Sequence, residues 1–227
     1  MTSKKQKVIV EKRKTIAEYL VFIQAKGIEI GYFKLKPIKD LGCCSEAITE
    51  VINFDDAKKE VVRDEELITP KSCDCLKILP EKNCIDLIEI KGLIELFNRF
   101  NEADIWEKMI DDKIKGFDLQ KKIEDSLHLL DTIVRKKEFG RTIEDAHFFR
   151  NIQINYILLT DIESKKQAFE DIASNFIFYG LEQYPNSMAD YATKKFNAEL
   201  SSIPNINHKL NRPMLKTCSE IDAYYAQ

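Results

Sequence analysis

The sequence predicts a single α/β domain with a mixed central β-sheet flanked by helices. Two apolar-rich runs, at residues 72–79 and 84–91, are separated by the turn sequence Pro-Glu-Lys-Asn and predict a β-hairpin. Apolar residues recur at helical spacing between residues 93 and 138, and a further apolar run at residues 152–160 predicts another strand. Such alternation of helices and strands is typical of α/β proteins, and 227 residues suit one large domain.

The N-terminal elements follow from periodicity and punctuation. Residues 11–25 carry an apolar stripe at helical spacing and are followed by Gly27, so they predict a helix that ends before this glycine. Apolar and polar residues alternate over 28–35, which predicts a strand that stops at Pro37. A second helix is predicted over 44–54 with Ser45 as its cap, and the polar segment 55–70 predicts a loop with a short edge strand.

The later elements are mainly helical. The stretch from Leu93 to about Glu138 predicts helices broken near Asn101 and near Gly116. After the strand at 152–160, a helix is predicted from Ser164 to about residue 183 and a short one at 190–200, with mostly loop beyond. The domain then has three segments: an N-terminal helix and strand (1–40), a core (41–183), and a helical and loop extension (184–227).

Charge and hydropathy exclude several classes of protein. Lys and Arg number 35 against 38 Asp and Glu, so the net charge is −3 and no overall basic field attracts nucleic acid. Residues 1–40 are nevertheless basic, as is the tail 205–216, so either segment could hold phosphates. There is no apolar run of about 20 residues and no signal-peptide pattern, and we therefore expect a cytoplasmic protein without a membrane span.

Five of the six cysteines lie between residues 43 and 84, with Cys218 far downstream. Because the chain is expected to be intracellular, these cysteines are predicted to be free, buried thiols rather than a disulfide framework. A zinc or iron–sulfur site is the alternative, but the pattern contains no Cys-x-x-Cys pair.

The hairpin register brings charged residues together. Symmetric pairing about the turn places Lys77 opposite Asp86, a favourable cross-strand pair, and in the same register places Asp74 opposite Glu89. Lys91 points to the same face as Glu89, since side chains alternate along a strand. Two facing carboxylates repel one another, so this arrangement predicts a divalent cation between them. Carboxylate oxygens suit Mg²⁺ or Mn²⁺.

The pattern Ser-Cys-Asp at 72–74, followed by Glu-Ile-Lys-Gly at 89–92, resembles the core motif of the PD-(D/E)XK nuclease superfamily. The resemblance implies a restriction-endonuclease-like core over residues 41–183. It also implies that Asp74, Glu89 and the Ile90 carbonyl bind Mg²⁺ or Mn²⁺, while Lys91 assists the attacking water. The proline of the motif is replaced by Cys73. The family often adds a glutamate from a preceding helix, which Glu50 or Glu46 would supply; Glu50 is favoured.

The function implied by this resemblance is metal-dependent hydrolysis of phosphodiester bonds in nucleic acid, with DNA favoured over RNA. Many members of the family dimerise, so a homodimer is also expected. The alternative is a catalytically idle nuclease-like fold that binds a protein or nucleic-acid partner. A third hypothesis is a protein with a cysteine-ligated metal.

Overall fold

The computed structural model of the chain describes residues 13–65, 70–99, 105–140, 142–162, 186–206 and 210–227. Its α-helices are α1 (Ile16–Glu29), α2 (Phe54–Glu65), α3 (Ile94–Phe97), α4 (Trp106–Gly116), α5 (Leu119–Arg135), α6 (Ile143–Asn151), α7 (Asn186–Ser202) and α8 (Ile221–Tyr225). Its strands are β1 (Leu35–Pro37), β2 (Glu50–Asn53), β3 (Cys75–Leu79), β4 (Cys84–Lys91), β5 (Gln153–Thr160) and β6 (Met214–Thr217).

The strands of the described residues form one mixed sheet in the order β1-β2-β3-β4-β5-β6. The first four pair antiparallel, whereas β4, β5 and β6 run parallel to one another. Strand β4 is therefore central, and seven of its eight residues are buried. The predicted α/β class with a mixed sheet between helices is confirmed.

The sheet buries apolar side chains on both faces. On one face Leu76, Leu87 and Leu158 join a large core that includes residues from α1, α4, α5 and α7. On the other face Ile88 and Ile157 belong to a smaller core. The remaining buried members of that smaller core are Ile38, Cys44, Ala47, Val51, Cys75, Ile90, Leu159 and Ile221. Alternation along β4 thus sends Leu87 and Glu89 to the large-core face, and Asp86 and Ile88 to the other.

The predicted hairpin and its register are confirmed; its second strand has the predicted bounds, whereas the first begins at Cys75 rather than at residue 72. Leu79 pairs with Cys84 and Lys77 pairs with Asp86, as symmetric pairing requires. A 3-10 turn at Pro80–Lys82 closes the hairpin, and Asn83 adopts a left-handed conformation with φ of 52°, which asparagine tolerates better than most residues. The predicted strand at 152–160 corresponds to β5, and the predicted break near Gly116 separates α4 from α5.

Two predictions for the first forty residues are wrong. Helix α1 continues past Gly27 to Glu29, because a glycine at this position leaves room for the Phe33 ring, whose nearest carbon would lie 2.1 Å from an added Cβ. The alternating segment 28–35 is therefore largely helix end and loop, and the strand β1 spans only Leu35–Pro37. Proline is accommodated in β1 because this strand lies at the edge of the sheet.

The predicted helix over 44–54 is also wrong, and so is the predicted loop over 55–65, where the structure has α2; residues 66–69, which include most of the predicted edge strand, lie outside the described residues. Val51 and Ile52 lie in β2, where β-branched side chains pack well, and Ile52 pairs with Leu76. The helix instead begins at Phe54, because the Asn53 side chain accepts a hydrogen bond from the Asp56 amide (3.1 Å) and caps it.

At the C-terminal end, helix α7 is longer than the predicted 190–200, and the sequence did not reveal β6 or α8. The predicted helix from Ser164 and the predicted break near Asn101 lie outside the described residues. Among the described helices, none combines the length and the apolar character that a transmembrane span requires.

Candidate active site

Asp74, Glu89 and Lys91 meet at the carboxyl end of β4. The Lys91 ammonium contacts a carboxylate oxygen of Glu89 and lies 3.5 Å from Asp74 Oδ2. The same Asp74 oxygen accepts a hydrogen bond from the Ile90 amide (2.7 Å), and Lys91 Nζ donates to the Ile90 carbonyl (3.0 Å). The structure therefore brings together the two acids, the lysine and the carbonyl that the motif singled out.

Helix α5 contributes two residues that the sequence did not single out. The Lys122 ammonium contacts the same Glu89 oxygen as Lys91 does. One turn further along, the buried Ser126 hydroxyl accepts a hydrogen bond from the Cys73 amide (2.8 Å) and holds the chain immediately before Asp74. The sequence contained a signal for Ser126, because this polar residue interrupts the apolar stripe of α5 between Ile123 and Leu130. It contained no comparable signal for Lys122.

Burial and charge set the protonation of this cluster. Burial raises the pKa of Glu89 above its ordinary value and the charge of Asp74 raises it further, whereas Lys91 and Lys122 oppose the shift. Burial alone would lower the pKa of Lys91, but the charges of Glu89 and Asp74 outweigh it and raise this pKa. Lys91 is therefore held as an ammonium ion between two carboxylates.

Two buried polar atoms near the cluster have no hydrogen-bond partner in the described part of the chain. One is Glu89 Oε2, on a side chain that is fully buried, and the other is the Tyr156 hydroxyl. Tyr156 lies on β5 opposite Leu87, and burial together with the nearby charges of Glu89 and Asp74 raises its pKa. Unpaired buried oxygens are costly and mark places where a ligand can supply the missing interaction.

The site opens toward solvent on the side of its lysines. The side chains of Asp74, Lys91 and Lys122 are 22%, 18% and 17% exposed to solvent, whereas the Glu89 side chain has no solvent exposure and lies beneath them. The ring of Phe117, at the α4–α5 junction, lies 5.5 Å from Lys91 Nζ and 5.7 Å from Lys113 Nζ. A ligand that reaches Glu89 must therefore pass ammonium groups.

Glu50 and Glu46 are not part of this cluster. Glu50 lies on β2, and its carbonyl accepts a hydrogen bond from Lys77 Nζ (2.8 Å). The amide of Phe54, four residues further along the chain, donates to the Asp74 carbonyl, so Glu50 lies about 13 Å away along the sheet. Glu46 is exposed in the loop before β2. Neither glutamate lies on a helix, because the helix predicted for them is not formed.

An acid that does come from a helix near the hairpin is Asp55. It lies at the start of α2 and accepts a hydrogen bond from the Ser72 hydroxyl (3.4 Å), two residues before Asp74. On the opposite sheet face, Asp86 is buried and accepts hydrogen bonds from Asn155 (2.7 Å) and Tyr225 (2.9 Å). Lys77 and Asp86 are thus paired in register, while Lys77 Nζ donates to the β2 backbone.

Three described basic residues from the segments that were expected to hold phosphates lie away from the Asp74–Glu89–Lys91 cluster. Arg13 is ion-paired with the buried Asp145 (2.8 Å). Lys216 Nζ lies 5.6 Å from the Tyr224 ring, which packs against the smaller core on the face opposite Glu89. Arg212 is exposed next to Asn211, whose amide donates to the Ile154 carbonyl toward the other end of β5.

The prediction of free thiols is wrong for one pair and confirmed for the others. Cys44 and Cys218 form a disulfide, although 174 residues separate them. Cys43, Cys73, Cys75 and Cys84 are free, and the last three are buried.

Comparison with known proteins produced no match among family models, curated proteins or solved structures. The geometry of the site therefore carries the functional argument alone. The expected homodimer and the cytoplasmic location stay predictions.

Proposed function

We propose that the protein is a metal-dependent nuclease that hydrolyses phosphodiester bonds at the Asp74–Glu89–Lys91 cluster. The observation that carries the proposal is the convergence of two carboxylates on one ammonium ion at the open end of the hairpin. Lys122 adds a second ammonium at Glu89, yet one oxygen of the buried Glu89 is left without a partner in the described residues, where a cation could bind it.

The residues of the cluster fit Mg²⁺ or Mn²⁺. Asp74 and Glu89 offer carboxylate oxygens, and the Ile90 carbonyl faces the same space, since Lys91 Nζ donates to it. These hard oxygen ligands are the type that both cations prefer. A divalent ion held by Asp74, Glu89 and Ile90 would supply positive charge for the phosphodiester and lower the pKa of a bound water.

Lys91 would accept the proton that the attacking water loses. Its pKa is raised because Glu89 and Asp74 stabilise the ammonium form. When the negative charge of these carboxylates is shared with another cation, the field that raises the pKa of Lys91 weakens. A larger fraction of Lys91 is then the neutral amine, which can accept a proton from water, and the ammonium form donates more readily to a phosphate oxygen that gains charge.

The order of the elements supports a restriction-endonuclease-like core for this site. The hairpin with its two acids is followed by helices and then by a strand (β5) that runs parallel to β4. This is the order that the family resemblance implies from Asp74 onward, whereas β2 and α2 precede the hairpin in place of the expected helix at 44–54. Nucleic acid is the proposed substrate, with DNA as the first form to examine.

One observation favours the alternative of an idle nuclease-like fold that binds a partner. Lys122 adds a second ammonium to Glu89, so two lysines already balance the two carboxylates. A site neutralised by its own side chains has less need of a metal ion. The two candidates differ in whether Mn²⁺ binds.

Cleavage and metal binding should be measured together. We expect the purified protein to cut plasmid, single-stranded DNA or RNA in Mn²⁺ and to stop when EDTA is added. Lys91→Met and the isosteric Glu89→Gln should lose cleavage, and Glu89→Gln should also lose the Mn²⁺ signal seen by electron paramagnetic resonance. Glu29→Gln and Lys26→Met, on the exposed surface of α1, are matched controls that should retain both.

Circular dichroism of each variant establishes that it is folded. The proposal fails if the folded parent neither binds Mn²⁺ nor cuts any of the three substrates. It also fails if Glu89→Gln binds Mn²⁺ as tightly as the parent. Either result would favour the idle fold.

A further inference from the structure

We propose that Cys43, Cys44 and Cys218 form a binding site for a thiophilic cation such as Zn²⁺ once the Cys44–Cys218 disulfide is reduced. The three sulfur atoms lie within 4.8 Å of one another. Sulfurs that each lie about 2.3 Å from a tetrahedral zinc ion are about 3.8 Å apart, so the bonded Cys44 and Cys218 sulfurs need only separate after reduction for all three to reach one ion. This site is separate from the carboxylate cluster and does not depend on it.

The backbone places these cysteines at the carboxyl-terminal ends of the parallel strands. Lys91, Thr160 and Thr217 are in register at the ends of the parallel strands β4, β5 and β6. Cys218 follows the last of these strands, and its amide donates to the Thr160 carbonyl (2.9 Å). Crevices at the carboxyl ends of parallel strands are common places for ligands in α/β proteins.

Gly92 lets the loop that carries Cys43 approach these strand ends. A Cβ atom at position 92 would lie 3.0 Å from the Cys43 Cβ and 2.9 Å from Asp161 Oδ2. The absence of a side chain therefore brings the Cys43 thiol and the Asp161 carboxylate toward the same point. Cys44, the next residue, is bonded to Cys218 through the disulfide.

Exposure and charge suit a cation here. Cys43 and Cys218 are partly exposed, whereas Cys44 is buried, so an ion can reach the cluster from solvent. The Asp161 carboxylate, which lies beside the same Gly92 position as Cys43, adds negative charge that attracts a cation. A bound cation in turn stabilises the thiolate form of its cysteine ligands.

The chemistry balances in two steps. A phosphine supplies two electrons and becomes a phosphine oxide, while water supplies the oxide's oxygen and two protons. The Cys44–Cys218 bond breaks and leaves two thiols beside the Cys43 thiol. The cation then displaces one proton from each of the three thiols as it binds. The fully oxidised chain keeps a single thiol in the cluster, Cys43, and should not hold the ion.

Zinc binding by the reduced and the oxidised chain provides the test. We expect the phosphine-reduced protein to bind one Zn²⁺ per chain more than the oxidised protein does in a chelator competition, because the carboxylate cluster can take up zinc in both forms. X-ray absorption at the zinc edge should show three sulfur ligands at about 2.3 Å. Cys43→Ser, which leaves the disulfide pair in place, should bind at least tenfold more weakly and show two sulfur ligands.

Cys84→Ala is the matched control, because Cys84 is free but distant in register at the start of β4. It should bind zinc as the parent does. The ligand count of the unmodified parent needs no variant and therefore stands even if Cys43→Ser folds poorly. The proposal is overturned if the reduced parent binds no more zinc than the oxidised parent, if fewer than three sulfurs surround the ion, or if Cys84→Ala weakens binding as much as Cys43→Ser.

Discussion

Breaking the Cys44–Cys218 disulfide should lower the free energy of unfolding by about 3 kcal/mol without abolishing the fold. The bond closes a loop across a sequence separation of 174 residues, for which the chain-entropy relation gives about 5 kcal/mol at 25 °C. Residual structure in unfolded chains reduces this effect, and typical disulfides contribute about 2–4 kcal/mol.

The folded state should survive reduction because α8 has other attachments. The Asp222 carboxylate accepts hydrogen bonds from the amides of Ile48 (3.0 Å) and Thr49 (2.8 Å). Tyr225 also donates to the buried Asp86, and Ile221 is fully buried in the smaller core. We therefore expect reduction to change stability and leave the circular dichroism spectrum nearly unchanged.

Urea unfolding with and without a phosphine reductant measures this change. A loss of about 3 kcal/mol, with a slope of about 3 kcal/mol per M for a chain of this size, lowers the urea midpoint by about 1 M. The double variant Cys44→Ser/Cys218→Ser is the control and should unfold at one midpoint whether or not reductant is present. Equal midpoints for the oxidised and the reduced parent would refute the reasoning.

Three further perturbations address the candidate active site. Ser126→Ala should lower the free energy of unfolding by about 1–3 kcal/mol, because the buried Cys73 amide loses its hydrogen-bond acceptor. Urea titrations measure this loss, and the control variant Ser201→Ala, at an exposed position, should change the free energy of unfolding by under about 0.5 kcal/mol. Tyr156→Phe removes a buried hydroxyl without a described partner, so a melting curve should show unchanged or higher stability, and a clear loss would mean that the hydroxyl has a ligand. Because the pKa of Glu89 is raised, protons compete with a cation for this carboxylate, and Mn²⁺ affinity should fall as pH falls through the raised pKa. Over the same pH range the metal-free parent should gain stability relative to Glu89→Gln, since the folded state binds the proton more tightly than the unfolded state. An Mn²⁺ affinity that does not change with pH would contradict Glu89 as a ligand.

The hairpin could be predicted in detail because its determinants are local. Its turn sequence and the Lys77–Asp86 pairing lie within twelve residues, so one register satisfied both. That register placed Asp74 opposite Glu89 and Lys91 on the same face, and in the structure Lys91 contacts Glu89 and lies 3.5 Å from Asp74.

The predictions that failed depended on partners far along the chain. Residues 50–53 have apolar spacing that fits a short helix or a strand, and pairing with Leu76 and Cys75 determines that they form β2. Because Glu50 is the first residue of β2, it lies away from the site. The capping pattern from Asn53 to Asp56 was a local signal for α2, but the polar composition of the helix obscured it.

By itself the sequence determined the α/β class, the hairpin register and the placement of two acids and a lysine at one end of it, because alternation and turn chemistry act over a few residues. Only the tertiary structure decided that Lys122 and Ser126 of α5 reach this site and that Cys44 meets Cys218. These contacts join residues 33, 53 and 174 positions apart, and no local pattern specifies which distant side chains the packed sheet brings together.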